Sequence, residues 1–448
     1  MFNKKTIKDV LSLALPAVGE MILYMMIWVF DTMMVGKYGG NVAVSTVGIS
    51  SEIMYTFSNI FIAVGVSVGI TSLVARKVGA KALNEADEYA SLGFAAGGVI
   101  ALIISIIAFM FCKNILKAAG APDEVVHHGV IFMRLTSFGI FFNMLMNLLN
   151  ASLRGHGNTK TPLLVSILVN MINIGLDWIL IFGRYGFPEL GIKGSGIATA
   201  TAQICGFIFI LIYIIKNPQY RIRFKYLKNI NIKKLVELMR LSIPSSLQEG
   251  AFSISRLLST FMIMQMGTIA FSANQITTTI ESVSFMPGWG FAVAATALVG
   301  HKIGEKDQKK AKEYAYTCAL LGTIVMSICG VLFLLIPNFL ISLFIKENEV
   351  AAIKLGALCL MVASIEQPFM AVSMILGGAL KGAGDTKTPF AVSLFSSWVI
   401  RLPLMFYFVY ILKTSVVTVW WITTIQWLID GALIFILFKR RFKKKLVT

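Results

Sequence analysis

Charged residues are scarce in this sequence: Asp, Glu, Lys and Arg together make up 14% of its 448 residues. Soluble globular proteins usually carry about 25%. The hydrophobic fraction is 57% and the mean hydropathy is +0.78. The shortage of charge, combined with this apolar excess, excludes an ordinary soluble globular protein.

Cysteine and histidine are scarce as well. The five cysteines lie in or beside apolar stretches without the spacing of metal ligands, so we expect buried free thiols. The four histidines lie in or near loops, and no nucleophile or metal-binding arrangement accompanies them. These shortages disfavour an enzyme, and we expect no catalytic residues and no cofactor.

Long apolar runs are abundant instead. Twelve stretches have the length of about 20 residues that is needed to cross the hydrocarbon core of a bilayer. They predict an all-α integral membrane protein with twelve transmembrane helices. The predicted spans are residues 10–35, 44–74, 89–111, 125–152, 161–183, 191–215, 237–263, 268–299, 314–341, 350–379, 388–411 and 415–438.

The net charge of +18 reflects where the basic residues lie. They are concentrated in alternate loops, for example at 216–234 and 439–445, whereas the loops between them carry few. By the positive-inside rule, this pattern predicts a multi-pass membrane protein with both termini in the cytoplasm. The positive charge is a topology signal, and we expect no binding to nucleic acid.

Two sequence motifs occur twice, once in each half of the chain. "ARKVGAKALNEADEYA" at 75–90 matches "GHKIGEKDQKKAKEYA" at 300–315, and "LRGHGNTKTP" at 153–162 matches "LKGAGDTKTP" at 380–389. Each half holds six spans, an even number, so both halves should insert in the same orientation and surround a central cavity. We predict an N-lobe at 1–215, a basic cytoplasmic linker at 216–236 and a C-lobe with a basic tail at 237–448.

The second repeated motif, G-x-G-[ND]-T-K-T-P, is rich in glycine, as phosphate-binding loops are. Its spacing differs from that of a Walker loop. Its glycines and proline suit a tight turn that opens the next helix. We therefore predict a structural turn at both copies.

The fifth predicted span contains an unusual polar stripe. In "VNMINIGLDWILIF", Asn170, Asn173 and Asp177 fall on one face of a helix with about 3.6 residues per turn. Asp31 in the first span lies at a similar depth in the same lobe. Such a set of oxygen atoms suits a hard cation such as Na⁺, and two neighbouring acids can equally hold a proton. The alternative is a structural hydrogen-bond network between the two spans.

Two further motifs complete the pattern: "FDTMMVGKYG" in the first span and "NIGLDWILIFG" in the fifth. With the twelve spans and the repeated "LRGHGNTKTP", the sequence resembles the multidrug and toxic compound extrusion family over essentially its whole length. The Asp motifs look most like its DinF-like prokaryotic branch, and this resemblance implies a location in the inner membrane of a prokaryotic cell. The resemblance implies cation-coupled export, with Asp31, Asn173 and Asp177 on the coupling positions of the N-lobe. It also implies a further ligand at Thr199, in "GIATATAQ".

Taken with the resemblance, the sequence predicts an antiporter that exports amphipathic, cationic drugs or metabolites by alternating access. H⁺ or Na⁺ would be the coupling ion, with Asn170 as part of its site and no other metal bound. The alternative is a flippase for lipids or lipid-linked saccharides from the same superfamily, although an acidic cavity disfavours anionic lipid headgroups. We expect small amphipathic molecules and the bilayer as partners, and a monomeric protein.

Other polar and aromatic side chains inside the spans are candidates for the substrate cavity or for charge balance. The charged residues of the C-lobe can neutralise one another in a buried cluster or contact a substrate. The aromatic residues can form cation–π contacts or anchor the helices at the interface. The cavity candidates are Glu20, Tyr24, Trp28, Glu249, Glu281, Trp289 and Glu366, and the candidates for buried charge balance are Arg256 and Arg401.

Overall fold

The structure, a computed structural model, describes residues 3–220, 222–223, 225–228, 230–344 and 349–443, without the side chains of Trp28, Asn41 and Leu227. Throughout this part of the chain, every regular element is a helix. The all-α architecture predicted from the apolar runs is therefore confirmed.

Long helices make up most of the described chain. The first half contains α1 (Lys4–Gly40), α2 (Val42–Gly79), α3 (Leu83–Ala118), α4 (Asp123–Gly155), α5 (Lys160–Phe182) and α6 (Ile192–Lys216). The second half contains α7 (Ile232–Met264), α8 (Thr268–Gly304), α9 (Gln308–Leu335), α10 (Val350–Gly382), α11 (Lys387–Ile411) and α12 (Val416–Arg441). Short helical turns lie at Pro218–Tyr220, Lys225–Lys228 and Pro337–Ser342.

Eleven of these helices are long and apolar enough to cross a membrane, judged by length and composition over the described residues. The remaining one, α7, has 33 residues and coincides with the predicted span 237–263. It is more polar because Glu249 and Arg256 interrupt its apolar stretch. Each predicted span thus coincides with one long helix.

The exposed side chains of α3 indicate that these helices are surrounded by lipid. Ile103, Ile107 and Met110 are 52%, 47% and 65% exposed, while Ala101 and Ala108 on the other face are buried. Rows of large exposed apolar side chains are unfavourable in water and favourable against lipid. Small residues face the neighbouring helices, and large ones face outward.

Both copies of the glycine-rich motif form the predicted tight turn. Gly157 and Gly384 have φ values of 83° and 84°, a left-handed conformation that glycine adopts without steric cost. The next helices begin at Lys160 and Lys387.

The residue at the [ND] position of the motif explains why the turn leads into a helix. The side chain of Asn158 accepts a hydrogen bond from the backbone N–H of Thr161 at 3.1 Å, and Asp385 accepts one from Thr388 at 3.0 Å. These bonds satisfy backbone donors that the first turn of a helix leaves unpaired. The prediction of a structural turn is confirmed at both copies.

The chain divides into two compact units. One unit is Gly19–Ser246, and its largest core cluster joins Ile70, Leu148 and Leu238. The other consists of Met1–Val18 and Leu247–Thr448, and its largest core cluster joins Val10, Phe291 and Trp427. These limits differ from those of the lobes predicted at 1–215 and 237–448, which stay a prediction.

Candidate functional site

Helix α5 turns its polar stripe toward the protein interior. Asn173 and Asp177 are fully buried and Asn170 is 5% exposed, whereas Met171 and Trp178 on the opposite face are 69% and 44% exposed. The stripe follows from helical periodicity, since the four-residue step from Asn173 to Asp177 returns nearly to the same face. The polar face is therefore available to side chains of neighbouring helices.

Two neighbouring helices bring further oxygen atoms to this face, Asp31 from α1 and Thr199 from α6. The hydroxyl of Thr199 donates a hydrogen bond to Oδ2 of Asp31 at 3.2 Å. The amide of Asn173 donates to Oδ2 of Asp177 at 3.3 Å and to Oγ1 of Thr199 at 3.4 Å. The structure thus joins four of the predicted coupling residues in one buried network.

The two carboxyl groups of this network lie within hydrogen-bond range of each other. Such a bond requires one proton between them, because two ionised carboxylates offer only acceptors. Oδ1 of Asp31, Asp177 and Asn173 is buried in each case without a hydrogen-bond partner. Buried oxygen atoms that lack donors fit a site for a proton or for a hard cation such as Na⁺.

Asn170 lies one turn away and has a different set of contacts. Its amide donates to the backbone oxygen of Leu23 at 3.1 Å and to that of Ser166 at 2.8 Å. The first of these bonds ties α5 to α1 below the carboxyl pair. The described contacts of Asn170 therefore support the packing of the site, and its predicted role as an ion ligand stays a prediction.

A small cavity adjoins the carboxyl pair, and sequence reasoning missed most of its lining. Asp31 and Thr199 form part of the wall, together with Tyr55 from α2, Thr136 from α4 and Gln203 from α6. The buried Gln203 accepts a hydrogen bond from Asn143 at 2.9 Å. A glutamine inside the apolar sixth span was a signal in the sequence, whereas isolated tyrosine and threonine residues do not stand out in a membrane helix.

The cavity candidates of the first half do not form one cluster. Glu20 forms a buried ion pair with Arg154 of α4, with 2.9 Å between Oε1 and Nη1. Tyr24 packs edge-on against Tyr55, with 5.6 Å between the ring centroids. The side chain of Trp28 lies outside the described residues. Glu20 therefore has a buried basic partner that the sequence did not suggest.

Comparison with known families decides what kind of protein has this network. The model of the MatE family matches residues 16–179 and again residues 244–407, which together exceed two thirds of the chain. The chain belongs to the MatE family. The double match follows the two halves recognised from the repeated motifs, and the resemblance to the multidrug and toxic compound extrusion family is confirmed.

Individual relatives agree with this assignment over nearly the whole chain. The probable multidrug resistance protein NorM of Thermotoga maritima is 28% identical over 92% of this chain and 88% of its own length. The uncharacterised transporter YisQ of Bacillus subtilis is 27% identical over 97% of this chain and 94% of its own. A solved outward-facing multidrug resistance MATE transporter matches 100% of both chains with a TM-score of 0.91 and 19% identity. The chain is a multi-pass membrane transporter of this family.

A second pair of acids, the fully buried Glu366 and the half-buried Glu281, lies in the other unit. The carboxyl groups of Glu281 and Glu366 lie within hydrogen-bond range of each other, and Arg401 lies close to both. The hydroxyl of Thr424 donates to Glu366 at 3.4 Å, and Arg401 donates to Gln426 at 3.4 Å. The nearness of Arg401 to both acids allows charge balance, and the choice between charge balance and a substrate contact stays a prediction.

Of the remaining candidates, Arg256 lies near Arg401 of that cluster. Glu249 lies near two basic residues, Lys381 of the second glycine-rich motif and Arg256. Arg256 is exposed, so the prediction that it is a buried charge is wrong; its position on α7 falls beside the exposed Leu257 and Leu258. Trp289 is half-buried and packs edge-on against Phe285 at 5.7 Å.

Proposed function

We propose that this chain is an antiporter in which H⁺ or Na⁺ binds at the Asp31–Asp177 pair and drives the export of amphipathic, cationic compounds. The observation behind the proposal is the buried pair of carboxyl groups with unpartnered oxygen atoms. A fully buried acid pair without a basic partner is costly in a membrane unless its charge is balanced by a bound cation or proton.

The positions of the ligands suggest how ion binding would change the protein. Asp31 belongs to α1, Asp177 to α5 and Thr199 to α6. A proton or cation gained at the pair removes repulsion between two acids and draws these helices together, and its loss has the opposite effect. The bound ion would thus bias the equilibrium between two helix arrangements, as alternating access requires.

The substrate class follows from the relatives and from the charge of the buried residues. Relatives named as multidrug resistance proteins, including that of Vibrio cholerae at 27% identity, favour drug-like substrates over the lipids that a flippase would move. Acidic side chains within the spans favour a cationic partner.

The proposal is tested with purified protein in liposomes loaded with ethidium, a lipophilic cation. A pH gradient and a Na⁺ gradient are imposed separately, and ethidium movement is followed by fluorescence. We expect at least one gradient to drive ethidium against its own gradient. The Asp123→Asn variant, which alters an exposed acid at the start of α4, should behave like the parent. Equal movement with and without both gradients would contradict the proposal.

A further inference from the structure

Two tyrosines at matching positions of the repeat make the same contact. The motif residues Tyr89 in "DEYA" and Tyr314 in "KEYA" each donate a hydrogen bond to an acid near the start of the first helix of the other half. Tyr314 bonds Oδ2 of Asp9 in α1 at 2.7 Å. Tyr89 bonds Oε2 of Glu237 in α7.

The two acids are themselves matched by the repeat. Asp9 precedes Pro16 by the same number of residues as Glu237 precedes Pro244. Proline lies inside the helix in both cases, where it removes a backbone hydrogen bond and weakens the helix locally. Contacts that recur at matched positions in both halves indicate a feature that the fold builds twice.

A second bond accompanies each tyrosine. Glu313, beside Tyr314, accepts a hydrogen bond from the hydroxyl of Thr6 at 2.7 Å. Glu88, beside Tyr89, pairs with Lys234 at 2.8 Å. Thr6 and Lys234 again occupy matching positions before the two prolines. The chemistry of the second bond differs between the copies, but its place does not.

A lysine also contacts each of the two tyrosines. Lys302 lies over the ring of Tyr314 at 5.6 Å from its centroid, and Lys77 lies over the ring of Tyr89 at 5.8 Å. These lysines also occupy matching positions in the first repeated motif. A cation over the ring holds the tyrosine in place through its face, so each ring is fixed by a lysine and each hydroxyl by an acid.

The helix starts that these contacts hold are residues 4–18 of α1 and 232–246 of α7, which we call the latch segments. Each presents small or apolar side chains to the core of the unit that contains its tyrosine: Val10 and Ala14 are fully buried in one, and Leu238 and Ser242 are buried in the other. Each latch segment ends directly after its proline, at the limit of the compact unit to which it belongs.

We propose that the two tyrosine–acid contacts are a duplicated latch that holds the cytoplasmic starts of α1 and α7 and opens during each transport cycle. The transport cycle in this inference rests on the proposed function. The latch itself rests only on the matched contacts. The tyrosines position the latch segments and take no part in ion or substrate binding.

The exposure of the acids makes the contact reversible. The side chain of Glu237 is 47% exposed and lies 4.0 Å from Nη2 of the partly exposed Arg76, and Asp9 is half-buried. When the tyrosine leaves, water can therefore solvate each carboxylate, and Arg76 can still balance the charge of Glu237. The ion pair of Glu20 and Arg154 differs, because its side chains are only 5% and 7% exposed and its separation would leave buried charges. A latch that opens needs a partly exposed contact, such as the tyrosine–acid hydrogen bonds.

The test measures how fast N-ethylmaleimide reacts with a buried cysteine placed in each latch segment of the full-length protein in liposomes. Ala14→Cys reports on the segment of α1 and Ser242→Cys on that of α7, and the labelled peptides are quantified by mass spectrometry. Each reporter is combined with Tyr314→Phe and, separately, with Tyr89→Phe. Exposed positions on the same segments, Ser12→Cys and Arg240→Cys, are matched controls. The native buried Cys112 and Cys359 report on global unfolding.

We expect a crossed pattern. Tyr314→Phe should accelerate labelling of Ala14→Cys about tenfold, the effect of losing one hydrogen bond to a charged group, and leave Ser242→Cys unchanged. Tyr89→Phe should do the reverse. With both tyrosines present, an imposed H⁺ and Na⁺ gradient with ethidium should accelerate labelling of both reporters relative to collapsed gradients.

Three results would overturn the latch. If neither Tyr→Phe change alters the labelling rates, the tyrosine–acid contacts do not restrain the latch segments. Equal acceleration at both reporters, or at Cys112 and Cys359, would indicate general destabilisation. A crossed pattern without any response to gradients would leave a static structural contact. If ethidium is not transported while the crossed pattern and the gradient response persist, the proposed substrate class fails and the latch stands.

Discussion

Two buried acid sites in the unit Gly19–Ser246 differ at the level of single residues in what balances their charge. Glu20 faces the guanidinium of Arg154 at 2.9 Å, so a permanent cation neutralises it. Asp31 and Asp177 face each other, a hydroxyl and an amide, so in the proposed mechanism an exchangeable proton or cation balances their charge. The first is suited to holding helices together and the second to exchanging an ion.

Asp31→Asn and Asp177→Asn should each reduce gradient-driven ethidium export to the rate of protein-free liposomes, because an amide neither exchanges a proton nor balances a cation. Yield and thermal stability in detergent should stay near those of the parent, since the amide preserves shape and removes repulsion between two acids. Asp123→Asn serves as the control. Gradient-driven export at the parental rate in either variant would remove the pair from the coupling mechanism.

Arg154→Met should destabilise the protein by about 3–5 kcal/mol, because it leaves Glu20 charged and buried without its partner. Adding Glu20→Gln should restore part of that loss. Thermal unfolding in detergent measures both variants, with Lys113→Met, a change of an exposed lysine on α3, as the control. An unchanged melting temperature in Arg154→Met would mean that the pair does not stabilise the fold.

The sequence predicted the site at Asp31 and Asp177 but did not predict that Arg154 is the partner of Glu20. Asn173 and Asp177 share a helical face, and counting residues from the helix ends placed Asp31 at their depth. The partner of Glu20 is far away in the chain, and nothing in helical periodicity relates α1 to α4. Local spacing therefore predicts which residues share a face, while partners on distant helices require the packed structure.

At the level of helices, the repeat determines how closely pairs of helices approach. The hydroxyl of Thr71 donates to the backbone oxygen of Ala151 at 3.0 Å, and that of Thr296 donates to Gly378 at 2.9 Å. Both threonines thus tie matching helices, α2 to α4 and α8 to α10, through the same bond. The glycines that open the repeated turn lie at these contacts.

Gly382→Ala should destabilise the protein by about 1–3 kcal/mol, the range for overpacking, since an added Cβ would lie 2.3 Å from the backbone oxygen of Thr296. A backbone atom cannot move aside as a flexible side chain can. Gly377→Ala in the same helix is the matched control, because its Cβ would come no closer than 3.9 Å to another group. Equal melting temperatures for the two variants would contradict the close approach.

Arg401→Ala should lower the yield of folded protein, because Glu281 and Glu366 would lose the nearby positive charge. A second change, Glu281→Gln or Glu366→Gln, should partly restore the yield. Size-exclusion chromatography in detergent gives the yield, and ethidium export is measured in parallel. Normal yield with lost export in Arg401→Ala would assign this arginine to transport instead of charge balance.

At the level of the whole molecule, composition and periodicity predicted twelve helices, their limits to within seven residues, and the duplication of the chain. They did not predict that the helix start before Pro16 belongs to a compact unit with residues 247–448, or that residues 232–246 belong to one with residues 19–231. Sequence halves and compact units differ because apolar segments pack according to complementary surfaces, which the repeat alone does not encode.

In the proposed mechanism, ion entry and substrate export are one event at the Asp31–Asp177 pair. The most direct test follows the ion: liposomes with an imposed pH or Na⁺ gradient contain the protein and a fluorescent indicator of that ion, and ethidium is then added to the compartment from which it is exported. Ethidium should accelerate dissipation of the gradient in the parent and in Asp123→Asn, but not in Asp31→Asn. Dissipation that ethidium does not change in the parent, or changes equally in Asp31→Asn, would contradict this mechanism.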